Sequence, residues 1–138
     1  MRELMPSPMK SMLFGMTVLF LCVSVPGSGV AAADHSATGV ERMCGWFQNP
    51  SPGNVVFTDR HGDWTIGIQG DYQAQGSWPE FTSHDWITTN RHYGYGCACL
   101  TATVDQHEMR VIRIHRAVAR PLRECRRDKL ISGTEPKP

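Results

Sequence analysis

Four cysteines carry the most definite chemistry in this sequence: Cys44, Cys97, Cys99 and Cys125. Thiols serve as nucleophiles, as soft metal ligands or as disulfide partners. A nucleophile needs a thiol whose pKa is lowered by a helix N-terminus or a nearby cation. Cys97 and Cys99 stand instead in an extended run, with His84 and His92 upstream. Zinc modules use two cysteine knuckles of short spacing, which the positions 44, 97, 99 and 125 lack. The histidines do not supply a ligand pair either. His84, His92 and His115 share no short ligand spacing, while His35, His61 and His107 fall in leader or turn sequence. The fifth cysteine, Cys22, lies in the apolar stretch near the start, and the even number that remains in a small exported domain reads first as two disulfides. In a strand Cys97 and Cys99 point to one face, and joining them to each other would need unusual geometry. One is expected to reach back to Cys44 and the other forward to Cys125, with the choice between them open. No metal, no cofactor and no catalytic residue is expected.

Two further chemistries have residues to support them. Asp59, Asp63, Asp71, Glu80 and Asp85 gather in a short stretch, and paired carboxylates can hydrolyse glycosides when held at a defined separation. Aspartate is also a turn former, which is the expected role of Asp59 and Asp63. Aromatic residues suggest binding instead, because they stack on sugar or peptide faces and bring large contact area at low entropy cost. Trp64 alternates with Ile66 and Ile68 and is expected in the core. Trp78 stands before Pro79 in a run of glycine, serine and amide side chains, so it is the leading candidate for an exposed anchor. Tyr72, Trp78 and Tyr93 together make the expected binding surface.

The elements that must hold these residues can be read along the chain. Ser11 to Val25 is almost wholly apolar, follows Lys10 and ends in Pro26-Gly27 and Ala31-Ala32-Ala33. That is the pattern of a secretory signal peptide over residues 1–33, with cleavage expected after Ala33 and either Met1 or Met9 as the start. The run is too short for a spanning helix of about 20 residues. Residues 34–43 are polar and small, and read as a flexible leader. A single β-rich domain is expected over 44–130 and a tail over 131–138.

Inside that domain Asn49-Pro50-Ser51-Pro52-Gly53 is a turn. Asn54–Asp59 and Trp64–Gln69 form a hairpin, and Tyr95–Val104 with Met109–Ala119 form a second one. Residues 70–94 show no period apart from a short strand candidate at Trp86–Thr89. Pro121 can open a helix. The fold expected is therefore mainly β: a small antiparallel sheet or barrel of about five strands, with one short C-terminal helix and two disulfides.

Charge is uneven although the formal net charge is only +1. Residues 34–109 carry three arginines against nine acids, whereas 110–130 carry eight basic residues against Glu124 and Asp128. The two ends can neutralise each other, or the basic end can face a partner. No global excess argues for nucleic acid.

A resemblance adds to this. Cys44-Gly45-Trp46-Phe47, Trp64-Thr65-Ile66-Gly67, the run Tyr93-Gly94-Tyr95-Gly96-Cys97-Ala98-Cys99-Leu100, and Pro121-Leu122 with Cys125-Arg126 stand in a particular order. In this order they resemble the small exported bacterial family known as domain of unknown function 4087, over about residues 44–130. The resemblance implies a secreted protein, mainly of Gram-negative bacteria. It implies no activity and no catalytic residue.

The expected function is a non-enzymatic, periplasmic or secreted module that binds another exported protein or a cell-wall polymer, in one version an inhibitor-like domain presenting a rigid loop. The alternative is a small periplasmic hydrolase or metal-handling protein. The oligomeric state is not legible.

Overall fold

The computed structural model describes residues 38–137. The expected signal peptide, its cleavage after Ala33 and residues 34–37 of the leader lie outside the described residues. Six strands follow in order: β1 (Thr38–Ser51), β2 (Asn54–Asp59), β3 (Gly62–Gly67), β4 (Trp86–Asn90), β5 (Tyr93–Asp105) and β6 (Arg110–Arg120). A short helix, α1 (Leu122–Arg127), and a 3-10 turn at Ser132–Thr134 complete the chain.

The long strands β1 and β5 organise the sheet. β1 pairs antiparallel with β2, and also with β5 from Thr38↔Asp105 to Asn49↔Gly94. The other edge of β5 is shared: β4 takes Tyr93–Gly96 and β6 takes Cys97–Asp105. The hairpin β2–β3 then meets β6 in parallel at Thr65↔Arg110. The ring β1-β2-β3-β6-β5 closes back on β1. Five strands in this order, with a parallel closing seam, have the connectivity of an OB-type Greek-key barrel. That likeness concerns architecture and assigns no activity.

The closing seam is completed by residues expected to be loop. Ala74 N–H donates to Ile66 O (2.8 Å), Gln75 N–H to Ile112 O (3.0 Å), and Ile114 N–H to Gln75 O (2.7 Å). Residues 73–75 thus fill the gap between β3 and β6, so that their backbone groups are paired rather than buried bare. Gly76 makes this approach possible. Its φ is +104°, and a Cβ there would sit 2.1 Å from Ile114 O. The turn that begins this return ends β3 at Gly67, which leaves Ile68 38% exposed rather than alternating into the core.

Period-two alternation separates two cores. Met43, Phe47, Val55, Phe57, Trp64, Ile66, Ala98, Leu100, Val104 and Val111 are among the side chains filling the barrel. On the outer face of β1 and β5, Trp46, Tyr95 and Cys97 are covered by Leu122, Cys125 and Ile131. Two disulfides brace this outer layer. Cys44 joins Cys99, its direct partner across β1–β5, and Cys97 joins Cys125 of α1. Each bridge contributes roughly 3–4 kcal/mol in the chain-entropy view.

Two boundaries differ from expectation. Residues 38–43, read as flexible leader, are the first half of β1, because β5 offers them a full ladder of partners. Ile131, read as the start of a tail, is buried at 2% exposure, and Glu135 binds Arg126 and Tyr95.

Candidate functional site

The barrel is plugged at one end by aromatic side chains. Phe47, near the end of β1, is buried at 2% exposure. The segment from Trp78 to Trp86 folds over it. Trp78 lies 5.9 Å from the Phe47 ring, Phe81 5.8 Å from Phe47, and Trp86 4.9 Å from Phe81, all tilted. These spacings fall within the favourable range for aromatic pairs. Gly96 makes room for the Phe81 ring: a Cβ on it would stand 2.4 Å from Phe81 Cε1. The alternating Tyr-Gly-Tyr-Gly-Cys run therefore has two faces. Gly96 accepts the plug and Gly94 the backbone of β4 at Ile87, while Tyr95 and Cys97 enter the second core.

These four aromatics and Pro79 wall an open cleft of about 310 Å³, to which Asn49, Thr82 and Ser83 add polar groups. Several polar groups here are already committed. Thr82 Oγ1 donates to Asp85 Oδ2 at 2.9 Å, and Trp86 Nε1 donates to His92 O at 3.2 Å. Trp78 differs. It is 37% exposed, and its indole N–H has no acceptor among the described residues. The cleft therefore offers a flat ring and a free donor side by side.

Of the three residues expected to form a binding surface, only Trp78 lines this cleft. Tyr72 sits at the β3–β6 seam. Its hydroxyl donates to Val111 O at 2.8 Å, and the Arg110 guanidinium lies 4.7 Å above its ring. Burial pushes its pKa up, and Arg110 opposes that. Tyr93 is half-buried and stacks on His92 at 4.2 Å. Phe47, Phe81 and Trp86 are the walls that sequence reading did not assign to the site. Phe81 and Trp86 carry a sequence signal only as aromatics close to Trp78-Pro79, and Phe47, 31 residues before Trp78, carries none.

Several of the other candidates are held by local partners. Asp59 is 5% exposed and accepts from Trp64 Nε1 (2.9 Å) and from His61 N–H (2.7 Å). Asp63 accepts from Thr58 Oγ1. His115 Nε2 meets Thr103 Oγ1 at 2.8 Å. Among the described residues no group of three His, Cys, Asp or Glu side chains is placed to hold a metal ion, and no helix is long and apolar enough to cross a membrane. All four cysteines among the described residues are disulfide-bonded.

The comparisons with known proteins agree with the motif order. Residues 38–132 match the family model described as Protein of unknown function (DUF4087). No curated protein and no solved structure matches the chain.

Proposed function

We infer that this chain, which belongs to the DUF4087 family, is an exported binding module whose aromatic cleft takes a segment of cell-wall polymer. One observation carries this reading: the exposed Trp78 ring with its free indole N–H, in a cleft walled by Phe47, Phe81 and Trp86. Aromatic faces recognise the apolar faces of sugar rings, and a few fixed polar groups set orientation. The Ser83 hydroxyl, which has no partner among the described residues, is a polar group of the kind that oriented sugar hydroxyls require. Rigidity supports the reading as well. Trp78 follows the residues stitched into the β3–β6 seam, so a ligand would order little on binding. The apolar leader supports export, and two disulfides are compatible with an oxidising compartment.

The test is co-sedimentation with purified cell-wall sacculi. The chain lacking residues 1–33 should pellet with them, and its Trp78→Ala variant should stay in the supernatant. A folded wild-type protein that stays in the supernatant overturns the reading, as does equal sedimentation of the variant. Capture of one exported protein in place of sacculi would transfer the cleft to a protein partner.

A further inference from the structure

The outer face of the barrel carries a second arrangement, remote in chemistry from the aromatic cleft and independent of its proposed role. Thr101 of β5 pairs with Arg42 of β1 on one side and with Arg116 of β6 on the other. The three residues form one cross-strand row, and side chains in such a row stand on the same face. The neighbouring row is Cys44–Cys99–Val118. A cleft of about 460 Å³ opens over these two rows, and Arg42, Thr101 and Arg116 all line it.

Charge in this cleft is unbalanced. Arg120 also lines it, but its guanidinium is held by Glu124 in a two-point pair at 2.8 and 3.0 Å. Arg42 and Arg116 have no carboxylate partner among the described residues, and the Thr101 hydroxyl has no hydrogen-bond partner among them. Strands lie about 4.8 Å apart, so the two arginine backbones flank Thr101 and stand about 10 Å from each other. That separation lets two guanidinium groups approach one anion from opposite sides with a hydroxyl beneath it.

We propose that Arg42, Thr101 and Arg116 form a binding site for a phosphate monoester. The geometry selects the ligand class. A planar carboxylate is satisfied by one guanidinium fork and would leave the second arginine unpaired. A tetrahedral oxyanion presents oxygens in several directions at once. Two positive charges also match the charge of about −1.5 to −2 on a phosphate monoester near neutral pH. The same chemistry occurs on a soluble phosphate ester and on a phosphate-bearing headgroup.

The experiment titrates the disulfide-intact protein with inorganic phosphate in a chloride buffer of constant ionic strength, following the Thr101 amide by NMR. Saturable shifts at Thr101 and its neighbours are expected. Arg42→Gln and Arg116→Gln should each weaken binding by about tenfold, the loss expected for a charged hydrogen bond. Thr101→Val should weaken it less. Arg127→Gln, an exposed arginine of α1 outside this cleft, should bind as wild type does. Sulfate should compete, and acetate at equal ionic strength should not. Vesicles containing phosphatidic acid, compared with pure phosphatidylcholine vesicles, separate the sources: added capture by phosphatidic acid assigns the site to a headgroup, and phosphate binding without capture assigns it to a soluble ester. Unsaturable shifts, an equal loss in Arg127→Gln, or unchanged binding in both row variants overturns the proposal. All the substituted side chains except Thr101 are exposed, and unchanged amide spectra elsewhere verify that the variants are folded.

Discussion

Trp46 and Ile131, 85 residues apart, are joined by a hydrogen bond from the indole Nε1 to the backbone carbonyl at 3.1 Å. The bond lies in the second core, where the Trp46 ring also meets Tyr95 edge-on at 5.7 Å. It fixes the chain beyond α1 to the outer face of β1. Trp46→Phe keeps most of the packing and removes this donor, while the Ile131 carbonyl keeps the Thr134 N–H (3.0 Å) and the Thr134 hydroxyl (2.8 Å). The expected cost is about 0.5–1.5 kcal/mol. Trp46→Ala should cost about 3–5 kcal/mol. Denaturant unfolding of the two variants separates the hydrogen bond from the packing.

Trp64 and Trp78 should respond oppositely to truncation. Trp64 is 2% exposed inside the barrel and bonded to Asp59. Trp64→Ala should lose about 3–5 kcal/mol of stability. Trp78 is 37% exposed and rests on Phe47 from one side. Trp78→Ala should change stability by only about 1 kcal/mol while removing sacculus binding. Equal destabilisation by both would make the cleft a third core.

Gly76→Ala should be among the most damaging single-methyl changes in the protein. It places a side chain at a φ of +104° and drives its Cβ to 2.1 Å from Ile114 O. The bonds from Gln75 to β6 must then lengthen or break. A loss of roughly 2 kcal/mol or more is expected. Hydrogen exchange should show it first at the Ile114 amide, whose acceptor is Gln75 O.

Glu135 makes stability depend on pH in a defined direction. Hydrogen bonds from Arg126 hold its carboxyl below the ordinary value of 4.5, against the opposing effect of burial. Its folded-state pKa is therefore depressed. The stability it contributes is present above the unfolded-state pKa and is lost as pH falls through the folded-state pKa. Glu135→Gln should be less stable than wild type near neutral pH, and the gap should close below about pH 4. Urea midpoints measured across that range check it. A constant gap would mean that the pair contributes through shape alone.

Removing the Cys97–Cys125 bridge should loosen one layer rather than the whole barrel. The bridge ties α1 to β5, whereas the barrel interior holds neither cysteine. The double variant Cys97→Ala with Cys125→Ala is expected to cost about 2–5 kcal/mol. Its amide exchange should rise most in Leu122–Arg127 and around Ile131. The Cys44–Cys99 bridge should remain in that variant by mass.

Local signals were enough for β2, β5, β6 and α1, because β-branched alternation and Pro121 are written into short windows. The two hairpins followed from their turns. β1 was not legible as a strand: Cys44–Phe47 marked only where the domain opens, and Asn49–Ser51, which close β1, read as a turn. Its first half, Thr38–Met43, is mostly on or near the surface, so it lacks the apolar alternation that marks a half-buried strand; its twelve-residue register with β5 supplies what its own composition does not. The same distance in sequence hid the pairing of cysteines, which depends on that register. Tyr72 looked like a loop aromatic because its partners, Val111 and Arg110, lie about forty residues away. The cleft was half visible: Trp78 stood out, while Phe47 and Trp86 joined it only through the closure of the barrel. The Arg42–Thr101–Arg116 row spans three strands, so no single segment could announce it.

The direct Cys44↔Cys99 pairing has a consequence for how the protein is assembled. Side chains on a strand return to the same face every second residue. A slip of β5 past β1 by two positions would keep that facing unchanged and set Cys97, instead of Cys99, opposite Cys44. Oxidation of such a slipped pair would lock the error covalently, and it would set Cys99 opposite Arg42, further along β1 from the place beside Trp46 where Cys97 meets Cys125. Correct maturation thus depends on the order of events: register must be decided by the bulky residues, Phe47 beside Gly96 and Trp46 beside Cys97, before the thiols react. Rapid oxidation should therefore trap scrambled isomers, and a thiol–disulfide shuffling step should rescue them.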